Sequence, residues 1–287
     1  MKQRRTAVYN LINLAVLFIS AALFVYGYVL PGKLTELMDM EVIPVVILTV
    51  VIVHALKVCR LYLALYGSDI DSSVCMKLYC KVTPVGVVLP WKLGEFFRMY
   101  CLGNELGSIL KGVVIILLDR FFDTMALVTM MLILWVMSGG VLPVLVYGFL
   151  IFLALVVMIY LAFPGMYGVW KDYLLSSKAT AHKLSLLKLL DAANRIYSEI
   201  RTVLRGRGSL LYILSMLAWG AEIGSLYLLH GPDGVPADAV SRYLSAALGI
   251  GTSPELKRFV VFTILLLIFA YACIKLAETL MGKRSKK

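Results

Sequence analysis

Charge is what this sequence has least of. Asp, Glu, Lys and Arg make up 16% of its 287 residues, where a soluble chain carries about a quarter. So few charges cannot build a water-facing shell, and a soluble globular fold is excluded. Cysteine is sparse as well. Cys59, Cys75, Cys80, Cys101 and Cys273 form no CxxC pair, which supports neither a zinc site nor a disulfide framework. They are expected to act as small apolar packing residues. Acids are scarcer than bases, 17 against 28, for a formal charge of +11. The basic surplus lies in short segments beside apolar runs. That is a poor footprint for nucleic acid and a good one for positive-inside topology and anionic lipid headgroups.

Hydrophobicity is abundant instead, at 61% apolar residues with a mean hydropathy of +0.89. The chain reads as an all-α polytopic integral membrane protein. A basic head at residues 1–5 precedes an apolar run over 8–30, too long for a signal peptide and without a small-residue cleavage pattern. Residues 42–66 return the chain and end with His54, Lys57 and Arg60, which recur every third residue on one helical face. These three are expected to snorkel at the cytoplasmic interface, with a headgroup contact as the alternative. Residues 74–102 are interrupted by Lys77, Lys81, Pro84, Gly86 and Pro90. A re-entrant hairpin fits them better than a crossing, with Pro84 to Pro90 at its turn and Gly94 on the returning arm. Irregular backbone at membrane depth must be buried in protein or line a cavity.

Residues 109–137 and 141–163 are read as further crossings. Residues 165–208 then turn basic, with leucine and isoleucine at helical spacing, the pattern of an amphipathic helix on the cytoplasmic membrane surface. A solvated cytoplasmic helix is the alternative. Residues 210–229 and 259–276 complete six crossings around the hairpin, in one domain over residues 1–287. Basic segments fall on one side, so both termini are expected to be cytoplasmic in a multi-pass cell-membrane protein.

The functional signal is charge where the chain otherwise has none. Asp119, Arg120 and Asp123 interrupt the run over 109–137, with Asp119 about 15 Å along it. Each charge at that depth costs on the order of 2.5–3.5 kcal/mol by insertion scales. Such residues need partners or a wet cavity, and Lys92, Glu95 and Arg98 are the obvious suppliers. Glu222 is a further carboxylate, mid-way along 210–229. The expected headgroup-binding set is therefore Lys92, Glu95, Arg98, Asp119, Arg120, Asp123 and Glu222. Its count of three cations against four acids would repel a phosphate unless one acid were protonated. Neither a cofactor nor a metal is expected.

The pattern Pro90-x-Lys92-x-Gly94-Glu95-x-x-Arg98, followed by Asp119-Arg120-x-x-Asp123, resembles the lysylphosphatidylglycerol synthase transmembrane family. That family is the flippase-like membrane domain of the multiple peptide resistance factor and its stand-alone relatives. Trp219-Gly220-Ala221-Glu222 is similar to its later tryptophan-and-acid segment. Many members also carry a glycine-rich segment ending in glutamate, where this chain offers only Gly249-Ile250-Gly251-Thr252-Ser253-Pro254-Glu255. The resemblance implies translocation of a polar-headgroup lipid, phospholipid or polyprenyl-linked, with no catalysis by this chain. Its partners would be membrane lipids and a separate lipid-modifying transferase that makes the cargo. A non-catalytic scaffold for such a transferase, or a membrane transferase in its own right, are the alternatives.

Overall fold

A computed structural model of the chain describes residues 2–30, 41–68, 70–89, 93–138, 142–176, 180–230, 237–247 and 252–284. Among them the regular elements are all helices, as expected where backbone groups must be satisfied without water. α1 is Lys2–Phe24, continued by a π-helical turn at Val25–Val29, and α2 is Ile43–Leu65. α3 is Ser72–Val88, α4 Leu93–Glu105 and α5 Ile109–Ser138. α6 is Val144–Ser176, α7 Ala181–Leu204 and α8 Gly208–His230. The short α9, Ala237–Ala247, precedes α10, Pro254–Arg284.

Among the described residues five stretches are long and apolar enough to cross a bilayer: Val8–Val29, Ile43–Leu65, Val144–Ser176, Gly208–Leu229 and Pro254–Leu280. α5, the sixth expected crossing, is long enough at 30 residues, about 45 Å. It carries Asp119, Arg120 and Asp123 within the length that would cross.

α3 and α4 form the expected hairpin, with one correction. α3 runs through Pro84, which is buried inside it, and ends at Val88. Leu89 is extended, with φ −71° and ψ 128°, so the turn starts after Val88 and not at Pro84. Pro90 and Lys92 lie outside the described residues. The arms are antiparallel and almost in backbone contact: a Cβ on Gly94 would run into the backbone of Gly86. A second close approach, Gly103 on Gly112, folds α4 back against α5.

Two apolar clusters flank the middle of α5. Val114 to Phe122 pack with Leu61, Tyr79, Phe97 and Leu102 around the hairpin. Ala126 to Met131 pack with Val146, Trp219, Tyr243 and Leu244. Asp119 and Asp123 fall where one cluster gives way to the other. The short α9 packs into the bundle, with Ala239, Val240, Tyr243 and Leu244 all buried.

α6 has 33 residues and continues through Pro164, so at about 50 Å it overruns a bilayer core of about 30 Å. α7 runs back along this overhang. Tyr197 packs its ring 5.1 Å from those of Tyr160 and Phe163, and the Tyr167 hydroxyl donates to Asp191 at 3.1 Å. Part of the apolar stripe of α7 is thus covered by protein, while Leu184, Leu189 and Ile196 stay exposed. Arg207 then joins the start of α8 to the end of α2, donating to the Tyr66 carbonyl at 2.7 Å.

Candidate functional site

Asp119 is the hub of the polar centre. Its Oδ1 accepts from Arg60 of α2, at 2.8 Å from Nε and 2.7 Å from Nη2. Its Oδ2 accepts from Arg98 of α4 at 3.3 Å and from its neighbour Arg120 at 3.2 Å. Three guanidiniums from three helices therefore converge on one carboxylate. Arg60 also donates to Asp123 at 2.9 Å and to the Ser215 hydroxyl of α8 at 2.6 Å. Glu95 takes Arg98 at 3.1 Å and stands 3.7 Å from Arg120.

These cations are not equivalent. The Arg60 and Arg98 side chains are 3% and 4% exposed, whereas that of Arg120 is 43% exposed. Arg120 also holds its partners most loosely, with Asp123 at 3.9 Å. Among the described residues the buried Nε atoms of Arg98 and Arg120 have no hydrogen-bond partner, a costly state for a donor in a low-dielectric interior.

A second ion pair lies beside the first. Lys57 of α2 donates to Glu222 at 3.0 Å and sits 5.8 Å from the Trp219 ring centre. The Tyr243 hydroxyl of α9 donates to the other oxygen of Glu222 at 3.0 Å. The Trp219 indole donates to the Asp123 carbonyl at 3.3 Å, which links the two pairs. One turn before Lys57, the His54 ring lies between the hydroxyls of Tyr79, 2.7 Å away, and Thr263 of α10, 3.0 Å away.

Between these groups is a cavity of about 300 Å³, walled by His54, Lys57, Arg60, Arg98, Asp119, Arg120, Asp123, Trp219 and Glu222. Thr83 and Val87 of α3 close one flank, and Ala246, Ala247, Leu256 and Phe259 of α9 and α10 another. Among the described residues no three histidine, cysteine or carboxylate side chains gather as a metal site. The acids are turned to cations.

Of the residues expected at the site, Glu95, Arg98, Asp119, Arg120 and Asp123 form one network, and Glu222 borders the same cavity. Lys92 lies outside the described residues. Lys57 and Arg60, expected to snorkel, are instead central: α2 carries them against α5 and α8, and its end is held by Arg207. Their three-residue spacing was visible in the sequence, but its depth was not. With both included, and Lys92 left aside as outside the described residues, Lys57, Arg60, Arg98 and Arg120 balance Glu95, Asp119, Asp123 and Glu222. The expected excess of acid disappears, so no acid need be protonated for the site to meet an anion.

A multi-pass bundle with a paired, mid-helix ionic centre defines a membrane protein built around a polar cavity. The sequence model described as "Lysylphosphatidylglycerol synthase TM region" matches residues 10–254, and the chain belongs to that family. Neither a curated protein nor a solved structure matches it.

Proposed function

We propose that this protein moves a polar-headgroup lipid, a phospholipid or a polyprenyl-linked one, from one leaflet to the other without altering it chemically. One observation carries the reading: a cavity of about 300 Å³ lined by charged side chains from α2, α4, α5 and α8. Intramembrane ionisable residues mark pathways by default. A volume at the low end of small-molecule sites suits a headgroup alone, so the acyl chains would remain in lipid.

In this reading Arg120, with Arg98, meets the lipid phosphate. Arginine suits bidentate phosphate contact, and Arg120 gives up the weakest native contacts to make one. Arg60 stays locked and positions Asp119. Glu95, Asp123 and Glu222 steer the cations and can receive a headgroup amine. The hairpin would enter and leave by the cytoplasmic face, with both termini and residues 165–208 on that face, as the basic segments favour.

The test is reconstitution of the full chain in liposomes with headgroup-labelled lipids, an impermeant quencher outside, and mass spectrometry of the lipid afterwards. Protein-dependent loss of the protected label, with the lipid unchanged in mass, supports a transporter. A changed mass makes it an enzyme. No movement, together with stimulation of a co-reconstituted lipid transferase, makes it a scaffold.

A further inference from the structure

α3 has a second polar face, turned away from the cavity. Tyr79, Thr83 and Val87 line the cavity, whereas Lys77 and Lys81, one turn apart, face α10 and α1. Lys81 is half-buried. Its ammonium donates to Asn13 Oδ1 of α1 at 2.8 Å and lies 5.2 Å from the Tyr9 ring and 5.9 Å from the Phe97 ring. Asn13 is itself buried at 7% exposure, and its Oδ1 also accepts from the Cys101 thiol at 3.4 Å.

An ammonium has three donors, and this one has an amide and two aromatic faces but no anion. The ion pairs of this face are Lys77 with Glu278 at 2.8 Å and Lys275 with Glu278 at 3.7 Å. Among the described residues Lys81 has no carboxylate within 4.0 Å. Lys77, Lys275 and Lys81 act on one another's field as like charges, and the exposed Glu105 is the acid that reaches Lys81. Cation–π contact offsets part of the cost of a half-buried charge, but an intramembrane cation left without an anion marks a ligand position.

The depth is right for a lipid. Lys77, Lys275 and Glu278 are 31–50% exposed, as an ion pair at a membrane interface would be. Lys81 lies one turn further in, about 6 Å along the helix.

We propose that Lys81, Lys77 and Lys275, with Asn13 as the polar anchor, form a second anion site, separate from the central cavity. Its ligand is a phosphate ester carried by an anionic lipid, whose chains lie along α1, α3 and α10. The site stands whether or not the central cavity moves lipid.

The experiment titrates the purified full chain in neutral detergent with phosphatidylglycerol, phosphatidylcholine or inorganic phosphate. Thermal stability and lipid retention by native mass spectrometry are read together. Phosphatidylglycerol is expected to raise the melting temperature and persist as an adduct, and phosphatidylcholine to do neither. Lys81→Gln should weaken the phosphatidylglycerol effect about tenfold. Asn13→Asp supplies Lys81 with an internal counter-ion, so it should keep α1 docked while losing the lipid to a similar degree. This variant keeps the test decisive even where Lys81→Gln folds poorly. Unchanged phosphatidylglycerol affinity in Asn13→Asp would overturn the site and leave Lys81 as a pin for α1. A full Lys81-dependent shift with inorganic phosphate alone would overturn the lipid as occupant.

Discussion

Arg60 should be the most costly single side chain of the polar centre to remove. It is 2% exposed and bonds to Asp119, Asp123 and Ser215 at 2.6–2.9 Å. In Arg60→Met, Asp119 keeps Arg98 and Arg120, but Asp123 is left with Arg120 at 3.9 Å. Uncompensating a buried charge this way costs about 3–5 kcal/mol. At about 2–4 °C per kcal/mol for a chain of this general size, the melting temperature should fall by roughly 10 °C. Asp123→Asn added to Arg60→Met removes the stranded acid and restores charge balance. The double variant should therefore be more stable than the single losses sum to, by about 1–3 kcal/mol. Thermal unfolding in mild detergent measures the cycle, with Arg201→Met on the exposed face of α7 as a control expected within about 0.5 kcal/mol of wild type. A loss below about 1 kcal/mol for Arg60→Met, or strict additivity with Asp123→Asn, would refute the hub.

The hairpin seam gives a second test: Gly94→Ala drives a Cβ into the Gly86 backbone and should cost about 1–3 kcal/mol. Gly27→Ala, where a Cβ meets nothing within 4 Å, should be neutral by the same thermal scan. For topology, single cysteines at Ser73 and Asn104 on a cysteine-free background should label from the same face as Ser176. Labelling of Ser73 and Asn104 from opposite faces would make the hairpin a full crossing. Glu222→Gln should uncouple Lys57 at 3.0 Å while sparing the Tyr243 contact. It should lower both stability and lipid movement, whereas Tyr243→Phe should cost only about 1 kcal/mol of stability; equal losses in the two would assign the effect to α9 packing.

Much of the site could be read directly because membrane sequences make charge conspicuous. Asp119, Arg120 and Asp123 stand out in an apolar run, and Glu95 with Arg98 follows a proline-glycine break. Lys57 and Arg60 were misplaced because a cation near the end of an apolar segment fits two depths equally well. Only the α2 partners, Asp119, Ser215 and Glu222, fix which depth applies, and these lie far off in sequence. Pro84 marked the hairpin but not its turn, since a proline is tolerated inside a helix where neighbouring helices cover it, and Pro84 is buried. Nothing local in α9 signals its burial, because Val240, Tyr243 and Leu244 pack with Ala126, Val128 and Trp219, which lie far off in sequence.

The most direct measurement is the leaflet-to-leaflet rate of a phosphate-bearing lipid in liposomes, comparing wild type with Arg120→Gln at matched reconstitution. Arg120 is the one guanidinium of the centre with a largely exposed side chain, 43%, so its loss should be mild for folding. A transporter that grips phosphate through Arg120 should slow at least about tenfold in the variant, with a melting temperature within a few degrees of wild type. An unchanged rate in Arg120→Gln would contradict the charged cavity as the lipid's path.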